Sequence, residues 1–238
     1  MNTIEILSLA WPCIGFGGGI AVIVGLFTNA FRSDTTRSRW RDPVWLSWLM
    51  VAAYLLHVME EYGLHIADGE FQLVTNLRAQ GIDAMFGGLP SAFFPMVNII
   101  FTWVALPIAA ALSRKHPVVG LAGMGFLLVN GLTHLGGSLV MGQSLADNFG
   151  VVTGVLLFIP LFCWITYACA KYKLLPRGGL AVAIVSGVVA HILLFSIYLL
   201  NKVAGHTVAF IWIPFVCFST IWVSWLLCKA FKVKSTNQ

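Results

Sequence analysis

Seven hydrophobic segments run through this chain of 238 residues, each about as long as the ~20 residues that cross a bilayer as a helix. They lie near residues 5–30, 44–66, 92–113, 117–140, 150–170, 178–201 and 207–228. Hydrophobic residues make up 59% of the chain and charged residues 10%, which excludes an ordinary soluble domain. The sequence therefore predicts an all-α fold, a polytopic membrane helical bundle with about seven transmembrane helices.

The fourteen Lys and Arg residues divide unequally between the two sides of such a bundle. Only Arg78 and Lys202 fall on the side opposite all the others. By the positive-inside rule, the N-terminus is outside and the C-terminus is cytoplasmic. The net charge of +5 then reflects topology and lipid headgroups, so we expect the lipid bilayer and no nucleic acid as a partner. We expect a multi-pass protein of the bacterial inner (cytoplasmic) membrane.

Short connections between most segments predict a single membrane domain over residues 1–238. The exception is the segment 67–91, which we expect to be external and to form a lid, an interfacial helix or an ordinary connector. No basic residue precedes the first hydrophobic segment, which favours a retained helix over a cleaved signal peptide. The five cysteines form no C-x-x-C pair, so neither a disulfide framework nor a thiolate metal site is predicted.

Two adjacent carboxylates, Glu60 and Glu61, lie inside the second hydrophobic segment. A carboxylate within a bilayer is costly unless it is protonated, paired or bound to a cation. At 100° per residue, His57, Glu61 and His65 share one helix face, with Glu60 beside them. All four side chains are therefore predicted to face the interior of the bundle.

Other polar residues are predicted at a similar depth on three further helices: Asn98, Asn130, His134 and His191. Four helices have no packing reason to carry imidazoles, carboxylates and amides at one level. The sequence therefore predicts a single buried site in the external half of the membrane.

Imidazoles and a carboxylate that converge from several helices are suitable ligands for a divalent metal such as Zn or Fe. The predicted ligands are His57, Glu61, His134 and His191. Glu60 and Glu61 are predicted as catalytic groups, with Glu60 the general acid or base, and Asn130 as the group that orients the substrate. The resulting hypothesis is a membrane enzyme that acts on a small lipophilic substrate, such as a lipid or isoprenoid.

Three alternatives stay open from the sequence. The Glu pair without a metal is suited to general acid–base catalysis, as in an isomerase. The same pair is also suited to a proton- or cation-coupled transporter or channel. A haem held by two of His57, His134 and His191 is the third alternative.

The residues His57, Glu60 and Glu61 resemble the motif of the HXXEE-domain membrane proteins. That family's N-A-x-x-H element is matched by Asn130 and His134, with Gly131 in place of Ala. The resemblance covers about residues 54–195 and implies an integral membrane protein of unestablished activity.

A third element of the family, E-x-x-x-H, is matched only at His191, because Gly187 stands where the Glu would be. This chain therefore lacks one acidic group that the resemblance implies.

Overall fold

The computed structural model describes residues 3–64, 66–67, 70–79, 81–85, 87–88, 90, 92–141, 144 and 148–234. Its helices are α1 (Thr3–Leu26), α2 (Pro43–Gly63), α3 (Gln72–Ala79), α4 (Ile82–Met85), α5 (Phe93–Leu112), α6 (Pro117–Leu121 and Gly123–Met141), α7 (Val151–Tyr172), α8 (Gly179–Ala204), α9 (His206–Cys217) and α10 (Ser219–Ala230). Two short antiparallel strands are β1 (Ile66–Ala67) and β2 (Glu70–Phe71), and a 3-10 turn covers Arg39–Arg41.

Six of these helices are long and apolar enough to cross a membrane: α1, α2, α5, α6, α7 and α8. Helices α9 and α10 are separated by a bend of 55° at Phe218, and they make a seventh span if the pair is counted as one broken helix. Pro214 lies one turn before the bend, where its ring removes a backbone donor from the helix. The structure thus confirms the predicted all-α polytopic bundle, while the orientation of the termini stays a prediction.

The loops that carry most of the basic residues meet at one end of the bundle, which we call the basic end (27–42, 113–116, 173–178 and 231–234). The Arg114 guanidinium donates to the carbonyls of Ala30 and Arg32, which ties two of these loops together. In the first loop, the hydroxyl and the backbone N–H of Thr36 both donate to Asp34 and lower the pKa of that carboxyl. The Arg114 contacts place the loops 27–42 and 113–116 at the same end of the bundle.

Helix α2 begins at Pro43 because the buried Asp42 caps it. The Asp42 carboxylate accepts hydrogen bonds from the backbone N–H groups of Val44 and Trp45, which have no partner within the helix. It also accepts from both the backbone N–H and the hydroxyl of Ser33. This cap fixes the start of the helix that carries His57 and the Glu pair at its other end.

Three of the membrane helices contain a π-helical segment, in which the helix is locally wider. These segments are Met59–Gly63 in α2, Ile99–Ala105 in α5 and Gly154–Phe158 in α7. Such segments are frequent at functional sites. The first contains both Glu60 and Glu61, so their directions differ from those of a regular helix at 100° per residue.

The predicted segment 67–91 contains α3 and α4, and β2 precedes them. Phe71 of β2 packs edge-on against Trp11 of α1 and Tyr62 of α2, so this part of the segment rests on the ends of two membrane helices. Residues 68, 69, 80, 86, 89 and 91 lie outside the described residues, as does His65. A lid function for this segment stays a prediction.

Helices α6 and α8 approach each other closely at a pair of glycines. A Cβ on Gly187 would lie 2.4 Å from both the Ala122 carbonyl oxygen and the Phe126 backbone nitrogen. A Cβ on Gly125 would lie 2.1 Å from the Ile184 carbonyl oxygen. Small residues allow such backbone approach between membrane helices. The crossing therefore leaves no room for the Glu that the resemblance implies at position 187.

We expect Gly187→Ala to destabilise the protein by about 1–3 kcal/mol, because the added methyl group meets backbone atoms that only a helix displacement can move. Thermal unfolding of the detergent-purified protein measures this. Gly136→Ala in α6 is the matched control, since a Cβ there meets no described atom within 4 Å. Equal melting temperatures for the two variants would contradict the close crossing.

Candidate functional site

The side chains of His57, Glu61 and His134 converge at the end of the bundle opposite the basic end. The His57 Nε2 atom lies 3.6 Å from one Glu61 oxygen, and the His134 Nε2 atom lies 3.9 Å from the other. One ligand atom from each of the three residues lies within 4.8 Å of the others. The structure thus brings together three of the four predicted ligands, two from α2 and one from α6.

The orientation of His134 is fixed by Asn148, which lies just before α7. The Asn148 amide nitrogen donates to the His134 carbonyl oxygen at 2.6 Å and to the Ser138 hydroxyl at 2.8 Å. Its amide oxygen therefore faces the His134 Nδ1 atom, at 3.0 Å, and accepts a hydrogen bond from it. On this hydrogen-bond network we assign the proton of a neutral His134 to Nδ1, which leaves a lone pair on the Nε2 atom that faces Glu61.

His57 is held in a similar way by Thr153 in the first turn of α7. The Nδ1 atom of His57 lies 2.7 Å from the Thr153 hydroxyl, which in turn donates to the Gly150 carbonyl oxygen at 3.4 Å. A hydroxyl that donates to the carbonyl accepts from the imidazole, so we assign this proton to Nδ1 as well. The buried Nε2 atom of His57 has no hydrogen-bond partner among the described residues.

Gly150 brings the chain into α7 directly beside both imidazoles. Its φ of +95° is in the left-handed region, which favours glycine. A Cβ at this position would lie 2.7 Å from the Cε1 atoms of both His57 and His134. Gly150 is therefore required both by the turn and by the space that the two rings occupy.

Glu60 has a different environment from Glu61. Its two carboxylate oxygens accept hydrogen bonds from the backbone N–H groups of Val152 at 2.9 Å and Thr153 at 2.7 Å. These are donors at the start of α7 that have no partner within that helix, and Gly150 has no side chain to cap them. Glu60 therefore caps α7 from a neighbouring helix, and the positive end of the helix dipole compensates its charge.

The three converging residues have the spacing of a metal site. Bonds of about 2.1 Å in a tetrahedral arrangement separate neighbouring ligand atoms by roughly 3.4 Å. The 3.6 Å from His57 and the 3.9 Å from His134 run to two different Glu61 oxygens, and both are too long for hydrogen bonds. One ligand atom from each residue lies within 4.8 Å of the others, which is wider than the ideal spacing but allows a shared ion. His57, Glu61 and His134 could therefore hold a metal ion.

A cavity of about 110 Å³ adjoins His57 and Glu61. Four phenylalanines line it: Phe93, Phe94, Phe101 and Phe126. Three tyrosines also contribute to its wall: Tyr54, Tyr62 and Tyr198. A cavity of ~150 Å³ is enough to bind benzene, so this one admits a small group or one end of a longer apolar molecule.

Besides the His57 Nε2 atom, two polar atoms of lining residues are buried without a hydrogen-bond partner among the described residues. They are the Tyr54 hydroxyl and the Asn130 amide oxygen. Asn98 also lines the cavity, but its amide nitrogen donates to the Tyr62 hydroxyl and to the Phe94 carbonyl. Outside the His57–Glu61–His134 group, Tyr54 and Asn130 are therefore the described lining side chains with unpartnered polar atoms that could bind a ligand.

The structure does not bring His191 into the His57–Glu61–His134 group. Its ring is buried and packs against Phe126, with the ring centroids 4.5 Å apart. Its Nδ1 atom has no hydrogen-bond partner among the described residues. The predicted fourth ligand is thus buried outside the group.

Sequence reasoning missed Asn148, Gly150 and Thr153, which build one wall of the site. Asn148 lies in the short connection before the fifth hydrophobic segment, and Gly150 and Thr153 lie at the start of that segment, where helix patterning assigns them no role. An Asn, a Gly and a Thr within six residues at the start of a helix indicate a turn and a cap. Tyr54 was also missed, although it lies three residues before His57 and therefore on a neighbouring part of the same helix face.

The fold and this site define a multi-pass membrane protein with a buried His/Glu cluster. Residues 48–165 match the model of the family described as "Protein of unknown function with HXXEE motif". The chain is an HXXEE-domain protein, as its motif of His57, Glu60 and Glu61 predicted. No curated protein and no solved structure matches the chain. The matched region includes all three converging residues and ends before Gly187 and His191.

Proposed function

We propose that this protein is an intramembrane metalloenzyme in which His57, Glu61 and His134 bind one divalent cation, Zn or Fe, beside a cavity for a neutral lipid-soluble substrate. The observation that carries the proposal is the convergence of two imidazole Nε2 atoms and one carboxylate, with no hydrogen bond between them. We further propose a bacterial inner membrane, with the basic end in the cytoplasm.

The electrostatics of the group favour a cation at its centre. With both Nδ1 protons engaged by Asn148 and Thr153, each neutral imidazole presents a lone pair to the Glu61 carboxylate. Three electron-rich atoms at this spacing repel one another, and little water is available in a membrane interior to separate them. A divalent cation satisfies all three atoms at once, and the Asn148 and Thr153 contacts are of the kind that orient metal ligands.

Three protein ligands leave one coordination position open, which is typical of catalytic rather than structural zinc sites. When bound, such an ion supplies Lewis acidity toward an oxygen of the substrate or of water. His57 and Glu61 both line the cavity, so the open position is accessible from it in this proposal.

The side chains around the cavity indicate the substrate that we propose. Glu61 is the one charged residue among the described lining residues, and it is a metal ligand in this scheme. The aromatic wall accepts an apolar group, while the Tyr54 hydroxyl and the Asn130 amide are available to bind and orient a polar oxygen. A neutral lipid or isoprenoid with one oxygen function fits this combination.

Glu60 is a structural residue in this proposal. Both of its oxygens already accept backbone N–H groups of α7, so a proton transfer through Glu60 would first break the cap of that helix. Its assigned task is to hold Thr153, and through Thr153 the His57 ring, in place.

Elemental analysis of the detergent-purified protein tests the proposal. We expect about one equivalent of Zn or Fe per chain in the wild type, which is lost in His134→Ala and retained in the control His116→Ala at the basic end. Absence of metal from the wild type after expression and purification with added Zn and Fe would overturn the proposal in favour of metal-free acid–base chemistry.

Asn148→Leu is expected to weaken metal binding by about 10- to 100-fold, because it removes the acceptor that orients the His134 ring. Competition with a chromophoric chelator measures this affinity. Ser138→Ala is the control, since it removes the other side-chain partner of Asn148 and leaves the bond to the imidazole intact. A wild-type affinity in Asn148→Leu would show that the ring needs no such partner.

A second candidate function, a proton- or cation-coupled carrier, is supported by the broken span. The hydroxyls of Ser219 and Thr220, at the start of α10, are buried without a partner among the described residues. Broken membrane helices with free polar groups are typical of transporter binding sites. Ion flux into proteoliposomes that disappears in a Ser219→Ala/Thr220→Val variant, with metal content unchanged, would favour this function over the enzyme.

A further inference from the structure

A groove of about 890 Å³ opens at the basic end, between the start of α8 and the end of α10. It is remote from the His/Glu cluster, which lies at the opposite end of the bundle. Its lining combines a set of basic side chains with an apolar wall, and none of its described lining residues is acidic. The groove therefore shares no residue with the proposed metal site.

Three basic residues lie at this groove: Arg177, Lys232 and Lys234. Arg177 precedes α8, and the two lysines follow α10, so the charges approach from two separate segments of the chain. No ion pair joins them to an acidic residue in the described part of the chain. The groove thus offers positive charge to an anion from two sides.

The chain after α10 is folded back by a defined helix cap. Lys232 has a φ of +52°, the Lys232 N–H donates to the Lys229 carbonyl, and the Val233 N–H donates to the Cys228 carbonyl. This pair of hydrogen bonds is the Schellman arrangement. A Cβ on Gly178 would lie 3.5 Å from the Val233 side chain, so the folded tail borders the start of α8. Lys232 is therefore part of a fixed turn, and Lys234 comes two residues after it.

The start of α8 adds to the positive character of the groove. Gly178 precedes the helix and provides no side chain to cap it, and both Gly178 and Ala181 line the groove. The first N–H groups of a helix have no partner within it and attract anions. The Gly179 N–H donates to the Pro176 carbonyl, so the donors that add to the charge of Arg177 and the lysines are those of Leu180 and Ala181.

The rest of the groove is apolar and faces outward. Val185 on α8 and Leu227 on α10 line it, and Phe231 closes it near the lysines. Val185 and Phe231 are exposed on the surface of the bundle. Since α8 is a membrane span, an apolar wall one to two turns inside its basic end lies at the depth of acyl chains.

We infer that this groove binds one anionic phospholipid of the adjacent leaflet. The phosphate lies among Arg177, Lys232 and Lys234, and an acyl chain lies along Val185 and Leu227. Both parts are needed, because the basic residues attract the charge and the apolar wall retains the chain. A basic pocket between membrane helices is the recognised form of such a lipid site.

Native mass spectrometry of the detergent-purified protein tests this inference. The probes are phosphatidylglycerol and phosphatidylcholine with identical acyl chains, each added at increasing concentration. We expect one tightly bound phosphatidylglycerol and a preference over phosphatidylcholine of roughly 100-fold, since each basic residue at a membrane surface contributes about a factor of five. Equal binding of the two lipids would overturn the inference.

The variant Arg177→Gln/Lys232→Gln/Lys234→Gln is expected to lose this preference, and Arg177→Gln alone to lose part of it. The matched control, Arg37→Gln/Lys115→Gln/Lys229→Gln, removes the same charge from the same end of the bundle outside the groove. If the control loses the preference to the same extent, general surface charge binds the lipid and the inference fails. Displacement of the bound lipid by millimolar inorganic phosphate would also contradict it, because the site would then recognise phosphate alone.

Discussion

If the proposed metal site is correct, Glu61→Gln is expected to abolish metal binding while the protein still folds. The substitution keeps the shape of the side chain but removes the one anionic group among the three proposed ligands, and a neutral amide is a much weaker ligand for Zn or Fe than a carboxylate. We expect the affinity for Zn to fall by more than the ~100-fold that loss of an orienting partner causes. Metal content after gel filtration and competition with a chelator measure the change.

The fold should tolerate this change, because Glu61 makes no hydrogen bond in the described part of the structure that a glutamine would break. Glu70→Gln is the matched control, since Glu70 is an exposed carboxylate that pairs with Arg78. Wild-type metal content in Glu61→Gln would contradict the assignment of this carboxylate as a ligand. Loss of metal in Glu70→Gln as well would indicate binding to surface carboxylates.

Gly150→Ala is expected to disturb both the stability of the bundle and the geometry of the cluster. The new methyl group would lie 2.7 Å from the Cε1 atoms of both imidazoles, and the residue would keep a φ that an L-amino acid rarely adopts. Backbone strain and overpacking together cost about 2–4 kcal/mol. We expect a melting temperature lower by roughly 5–10 °C and loss of metal binding.

The variant Gly205→Ala separates the effect of backbone strain from the effect of overpacking. Gly205 has a φ of +84°, and a Cβ there meets no described atom within 4 Å, so this variant adds backbone strain without a clash. It should lower the melting temperature by less than Gly150→Ala and leave metal binding unchanged. Equal effects of both variants on stability, with metal retained in both, would show that the rings have room to move aside.

The sequence predicted Glu61 on the helix face of His57 and assigned it to the ligands, but it did not predict the contact that Glu60 makes. Helix periodicity within the second segment says nothing about α7. Only the position of that helix shows that its free N–H groups bind Glu60 and that its first turn supplies Thr153 to His57. A contact between residues about 90 positions apart in the chain follows from packing and cannot be derived from local spacing.

Two glycines that depart from the resemblance described above lie at close helix contacts of α6. A Cβ on Gly131, where the resemblance implies Ala, would lie 2.9 Å from the Gly154 carbonyl oxygen. A Cβ on Gly187, where the resemblance implies Glu, would lie 2.4 Å from the backbone of α6. In this chain both glycines therefore permit helix packing that a larger side chain would prevent.

The sequence by itself determined the class of this protein. Apolar segments of membrane-spanning length form helices, because the backbone polar groups must find their hydrogen-bond partners within the helix when lipid surrounds it. The motif of His57, Glu60 and Glu61 is unusual in such a segment and identifies the family. Only the tertiary structure decided the site, in which Glu61 joins His134 while Glu60 caps α7 and His191 is buried apart. These outcomes depend on distances of a few ångström between helices. The π-helical segments and the glycine contacts set those distances, and the periodicity of a single helix does not encode them.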